Sequence, residues 1–123
     1  MNNCSFVGRT TRDGDFKYLP NGTPVLAFTL AVDRGRKDAA GNKQADFFDH
    51  VFYGERAEKI ASWVTKGRLL ATSGRLQIRQ YESAEGQKRK ATEIVIQNVD
   101  FLDKKKSDDN DLGREVADDE APF

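Results

Sequence analysis

The sequence runs to 123 residues with 20 Lys/Arg, 20 Asp/Glu and one cysteine. That is enough for one domain with an extension, and Cys4 alone excludes an internal disulfide and suits a reducing compartment. No apolar run approaches the ~18 residues of a membrane-crossing helix and no charged-then-apolar leader opens the chain, so neither membrane insertion nor secretion is expected. The first strand is short and closes on Phe6-Val7-Gly8. Asp13-Gly14 and Pro20-Asn21-Gly22 are turn sequences. Between Val25 and Asp33, Leu26, Phe28, Leu30 and Val32 alternate with Ala27, Thr29 and Ala31, the period of two of a strand with one buried side. Arg34 to Gln44 reads as a charged loop, and Phe47 to Tyr53 as a further strand. Gly54 to Gly67 is the only helical stretch, because Ala57, Ile60, Ala61 and Val64 recur at helical spacing and Gly67 is placed to end it. Arg68–Glu82 and Thr92–Leu102 are two long strands joined by a turn over Ser83–Lys90. Five strands with one helix between the third and fourth predict an all-β fold, a small Greek-key barrel of the OB type, over residues 1–104.

The formal net charge of zero hides a division. Residues 1–106 hold 19 Lys/Arg against 13 Asp/Glu, a net +6, and residues 107–123 hold one Arg against seven acids, a net −6. A basic domain points to a polyanion such as nucleic acid. On the fourth strand Leu70, Leu76 and Ile78 share one parity while Arg75, Gln77, Arg79 and Tyr81 share the other. A face of arginine, glutamine and tyrosine suits a charged ligand with flat rings. Phe47, Tyr53 and Tyr81 are the candidate stacking aromatics, since every base offers a π-face whatever its identity. Core packing is the alternative for each of them, and Phe28, Phe48 and Phe52 are assigned to the core. Arg34, Arg36, Lys37 and Lys43 lie in one loop and Lys88, Arg89 and Lys90 in another. These, with Arg9, complete the candidate nucleic-acid-binding set.

Other chemistry finds little support. His50 is the only histidine and has no clustered partners at ligand spacing, so no metal, cofactor or catalytic triad is expected. Trp63 lies off the apolar stripe of the helix and reads as a cap on the barrel or a subunit contact. Residues 105–117 read as a disordered linker, too acidic and too poor in apolar side chains to offset the entropy of ordering. The segment Asp118, Asp119, Glu120, Ala121, Pro122 and Phe123 sets an aromatic hook beside dense negative charge, a ligand for a basic, apolar pocket on a partner protein. A solubilising acidic tail is the bland alternative.

The motifs Phe6-Val7-Gly8-Arg9-Thr10-Thr11-Arg12-Asp13, Tyr18-Leu19-Pro20-Asn21-Gly22 and Phe28-Thr29-Leu30-Ala31-Val32 occur in order. Ala45-Asp46-Phe47, Gly54-Glu55-Arg56-Ala57-Glu58, Lys66-Gly67, Gly74-Arg75-Leu76 and Thr92-Glu93-Ile94 follow them. This array, over about residues 2–103, resembles bacterial and phage single-stranded DNA-binding proteins, and the acidic tip resembles that family's partner-binding terminus. The resemblance implies a non-enzymatic homotetramer of OB-folds. It would coat single strands in replication, recombination and repair, in a bacterial cytoplasm near the nucleoid or, if phage-encoded, in the host cytoplasm. It places Phe47, Tyr53 and Tyr81 at stacking positions and Arg75 and Arg79 on the DNA-contacting strand. Gly35-Arg36 stands where some members have an aromatic, implying fewer stacks and more charge, and Phe48 stands where some have a histidine at a subunit contact. The linker is also short. A protein-interaction adaptor and an RNA-binding OB module are the rival readings.

Overall fold

The computed structural model describes residues 1–103; the linker and the acidic tip lie outside the described residues. Among the described residues six strands form: β1 Cys4–Thr10, β2 Asp15–Tyr18, β3 Pro24–Lys37, β4 Lys43–Tyr53, β5 Leu69–Glu82 and β6 Lys88–Phe101. They hydrogen-bond in the order β1-β5-β6-β4-β3-β2, and β1 also pairs with β3 through Arg9 with Ala31 and Thr10 with Leu30. That last pairing closes β1, β5, β6, β4 and β3 into a barrel, with β2 as an added edge strand. The β4–β6 contact, His50 with Ile94 and Val51 with Val95, is parallel; the others are antiparallel. This is the OB-fold expected from the sequence, with α1 (Glu55–Ile60) lying between β4 and β5. The additional strand is β2. Its four residues fall between two turn sequences and pair with Val25, Leu26 and their neighbours on β3, a span too short to show a period.

Alternation sorts the residues. Leu26, Phe28 and Leu30 of β3, Phe52 of β4, Leu70 of β5 and Ile96 and Val99 of β6 are buried in one cluster. Each such side chain contributes about 1.5–3 kcal/mol of burial. Ala57 and Ile60 of α1, with Val64 beyond it, join that cluster and plug one end of the barrel. Gly54 opens the helix at φ +103°, a conformation that L side chains rarely adopt. The helix is shorter than the stretch Gly54–Gly67 predicts. It passes into a 3-10 turn over Ala61–Trp63, and the residues after it spend their backbone groups elsewhere. The Gly14 N–H donates to Val64 O, Gly67 N–H to Thr10 O and Thr10 N–H to Arg68 O. Lys66 N–H donates to Asp13 Oδ1 at 2.9 Å. The segment is stitched to β1 and the β1–β2 turn rather than wound further.

Two expected loops are partly strand. β3 continues to Lys37 and β4 starts at Lys43, so Arg34, Arg36, Lys37 and Lys43 ride on a hairpin. β6 starts at Lys88, so Lys88, Arg89 and Lys90 are paired with Glu82, Tyr81 and Gln80 of β5. The β5–β6 hairpin runs past the barrel as a two-stranded arm. Leu70 is fully buried, but Leu76 and Ile78 on the same stripe are 39% and 60% exposed. The departure begins at the irregularity between Ser73 and Gly74. A Cβ at Gly74 would strike the Val95 carbonyl oxygen, so glycine permits the close strand approach there.

His50 and Arg68 are buried polar groups with partners. The His50 ring lies 5.2 Å from Phe28, nearly parallel to it. Its Nδ1 sits 3.0 Å from Phe48 O and its Nε2 3.0 Å from Thr72 Oγ1. Burial holds its pKa below the ordinary imidazole value, against smaller opposing effects of the Phe48 carbonyl and the Asp49 charge. Arg68 donates through Nε to Asp103 Oδ1 at 2.9 Å and through Nη1 to Trp63 O at 3.0 Å. Its guanidinium sits 4.6 Å from the Phe101 ring centre. Trp63, half-buried, packs 6.0 Å from Phe101, and Cys4 is half-buried on β1.

Candidate nucleic-acid interface

Strand β4 alternates Phe48, His50 and Phe52 inward with Phe47, Asp49 and Tyr53 outward; Val51 shares the outward parity but is buried. Phe28 and Phe52 are buried in the core as assigned; Phe48 is only half-buried, 4.4 Å from the Phe6 ring, and lies outside the core cluster. Phe47 is 67% exposed and Tyr53 44%. In register they face Ala31 and Val25 of β3, small or modest side chains that leave the rings standing clear of the sheet. Neither ring is needed by the core.

The β5–β6 arm supplies a second surface. Arg75, Gln77, Arg79 and Tyr81 face one side, opposite Val95, Glu93, Ala91 and Arg89. The Tyr81 ring is 45% exposed, and the Arg79 guanidinium lies over it at 5.5 Å from the ring centre. Arg79 Nε also donates to Glu93 Oε1 at 3.0 Å, while Arg75 Nη1 donates to Gln77 Oε1 at 3.0 Å. Between the arm and the outer face of β2, β3 and β4 runs an open groove of about 520 Å³. Arg79, Ala91, Thr92 and Glu93 line one wall, and Lys17, Ala27, Thr29, Asp49, Val51 and Tyr53 the other.

The basic residues are less uniform than their clustering in sequence implies. Arg34 holds Asp46 in a two-nitrogen clasp, with Nε at 3.0 Å and Nη2 at 2.7 Å. That clasp raises the Arg34 pKa and holds the Asp46 carboxyl below the usual range. Arg36 makes no ion pair among the described residues. Lys37 and Lys43 are direct cross-strand partners. Like charges so placed cost stability, and an anion between them would relieve that cost. The hairpin tip is organised by Asp38, whose Oδ1 accepts from the Ala40 and Asn42 amides at 3.0 and 2.8 Å. The Lys88-Arg89-Lys90 run is divided by alternation: Arg89 shares the Tyr81 face, while Lys88 and Lys90 face the other way with Glu82 and Gln80. Arg9 is aligned with Ala31, and through it with Phe47. Its guanidinium is nonetheless directed to Gly67 O at 2.9 Å and lies 3.7 Å from Asp103.

The fold therefore brings Tyr53 and Arg79 to one groove, while Phe47 and Tyr81 do not line it but stand two residues along their strands from the lining residues Asp49 and Arg79, and Lys88 and Lys90 are separate from it. Lys17, Asp49 and Glu93 were not among the candidates. Asp49 shares the parity of Phe47 and Tyr53, a signal present in the sequence; Lys17 and Glu93 enter only through strand register. Among the described residues no cluster of three His, Cys, Asp or Glu is placed to hold a metal, and no helix is long and apolar enough to cross a membrane.

Residues 1–102 match the family described as the Single-strand binding protein family. The chain is 38% identical over 122 residues to Single-stranded DNA-binding protein 4 of Streptococcus agalactiae, covering 99% of this chain and 86% of that one. It is 44% identical over 104 residues to Single-stranded DNA-binding protein 2 of Clostridium acetobutylicum, covering 84% of this chain and 77% of that one. Among solved structures it is similar to the Plasmodium falciparum SSB in complex with ssDNA, with a TM-score of 0.73, 26% identity, and coverage of 84% of this chain and 96% of that one.

Proposed function

Because the chain belongs to the single-strand binding protein family, we propose that it binds single-stranded DNA with wide sequence tolerance and without catalysing a reaction. The observation that carries this reading is the set of exposed rings on the strands that border the groove. Phe47, Tyr53 and Tyr81 are each more than two-fifths exposed, on strands whose core is complete without them. Bases stack on such rings for about 1–3 kcal/mol each. Arg36, Lys37, Lys43 and Arg89 neutralise phosphates and release counterions. Arg75, Gln77 and Arg79 line the path between rings and charges. Duplex DNA hides its base faces and so engages only the charges.

Its wider role is to coat strands exposed in replication, recombination and repair, in the cytoplasm, while Asp118–Phe123 recruits partner proteins. The working unit is a homotetramer. Val7, 54% exposed on the outer face of β1 beside Ala71 of β5, supplies an apolar point on the outside of the barrel for that assembly, and light scattering should report four chains. Titration of intrinsic fluorescence with a single strand and a duplex of equal length tests the binding. Tight, salt-sensitive binding to the single strand and much weaker binding to duplex is expected, and equal affinities would defeat the stacking account. Removal of Pro122 and Phe123 should abolish capture of the partner proteins and leave strand affinity unchanged.

A further inference from the structure

The outward row of β4 contains an acid between the rings, and this asks for an explanation on a surface meant for a polyanion. Asp49 lies two residues from Phe47 and four from Tyr53 on the same face, about 7 and 13 Å along the strand. Its Oδ1 accepts the hydroxyl of its cross-strand partner Thr29 at 2.8 Å, which aims the carboxylate along the sheet surface. Among the described residues Oδ2 accepts no hydrogen bond and no lysine or arginine pairs with the group. The groove's other carboxylates are placed differently. Glu93 is taken by Arg79 at 3.0 Å, and Asp15 sits on the outermost strand.

An unpaired carboxylate repels phosphate, so a strand crossing this face keeps its backbone away from Asp49 and presents bases to it. A carboxylate only accepts hydrogen bonds. Guanine is the base whose Watson–Crick edge carries two adjacent parallel donors, N1–H and N2–H, matching the two carboxylate oxygens. Adenine and cytosine offer one amino group beside an acceptor, and thymine one N–H flanked by two carbonyls that a carboxylate repels. Resting on the single-strand reading above, we propose that Asp49 is a specificity-determining residue: it accepts the Watson–Crick donors of a base in the groove and biases this otherwise tolerant face toward strands containing guanine. Thr29 is the positioning residue that holds the carboxylate.

Hypoxanthine isolates the contact, because it keeps N1–H and lacks the N2 amine. The test compares affinity of the full chain for alternating dT-dG and dT-dI strands of equal length, with oligo-dT as reference, for the wild type and Asp49→Asn. The asparagine keeps the shape, but with its oxygen on Thr29 it turns an NH₂ toward the base. The wild type should bind the guanine strand about fivefold or more tighter than the inosine strand, the lower end of what a bidentate base contact discriminates. The variant should bring that ratio to near one and bind oligo-dT as well as or better than the wild type, since a repelling charge is gone. Equal wild-type affinity for the two alternating strands overturns the proposal without any variant and leaves the single-strand reading standing. Retention of the preference in Asp49→Asn also overturns it. Failure of every strand to bind removes both readings together.

Discussion

The Arg79 guanidinium lies over the Tyr81 ring at 5.5 Å from its centre, so a cation and a π-face share one side of the β5–β6 arm. Arg79 is simultaneously clamped by Glu93 at 3.0 Å. The tyrosine is thus backed by a fixed cation on one side and leaves the rest of its ring to solvent. On the proposed reading the ring is preorganised for stacking, because the cost of ordering the long arginine is met before a ligand arrives.

Tyr81→Ala and Phe47→Ala should each weaken binding to a single strand by about 1–3 kcal/mol. The slope of log affinity against log salt should stay as it was, because no phosphate contact is lost. Thermal unfolding should also be nearly unchanged, since both rings stand outside the core. Fluorescence titrations at several salt concentrations, beside a melting curve for each variant, check this. A variant that melts early and binds normally would mark its ring as packing.

The arginines should not behave alike. Arg34 already clasps Asp46 and Arg79 already holds Glu93, so phosphate must compete with a carboxylate at each. Arg36 has no such competitor among the described residues. Arg36→Ala should therefore reduce the salt slope by about one phosphate contact, and Arg34→Ala by distinctly less. Equal slopes for the two variants would show that the Asp46 clasp opens freely on binding.

His50 should make the fold acid-sensitive. Its folded pKa is depressed by burial, so between the unfolded value near 6.5 and the lower folded value the unfolded chain binds more protons. Stability from this group is present above the unfolded pKa and is lost as pH falls toward the folded pKa. The melting temperature should drop between about pH 7 and pH 5. His50→Gln should melt lower at neutral pH, having lost ring stacking on Phe28, but with a shallower pH dependence over that window.

Arg68→Ala should cost about 2–3 kcal/mol, because a nearly buried guanidinium with charge-assisted bonds is removed and Asp103 Oδ1 and Trp63 O lose the donor they share. Denaturant unfolding measures it. Strand affinity per folded molecule should not change, since Arg68 lies on the plugged side of the barrel with Trp63 and Phe101.

The alternation of Leu26, Phe28 and Leu30 and the inward and outward sorting of Phe47 to Tyr53 were legible in the sequence. In a half-buried strand, hydrophobic burial acts on every second residue and leaves its period in the chain. The ordered motifs carried the family. What the sequence did not show depended on pairing. β2 is too short to have a period, and its strand state comes from an open edge on β3. Arg34 to Lys37 and Lys88 to Lys90 look like loops because charge suits solvent, yet backbone hydrogen bonds to the opposite strand extend both hairpins through them. Leu76 and Ile78 read as a continuation of a buried stripe and are exposed, because a stripe does not say where the barrel beneath it ends. The partners of Arg34, Arg79 and Asp49 lie across strands at 12 to 20 residues' separation. Which charges are spent and which remain for a ligand is decided by register, and register is a property of two strands meeting, which neither strand carries alone.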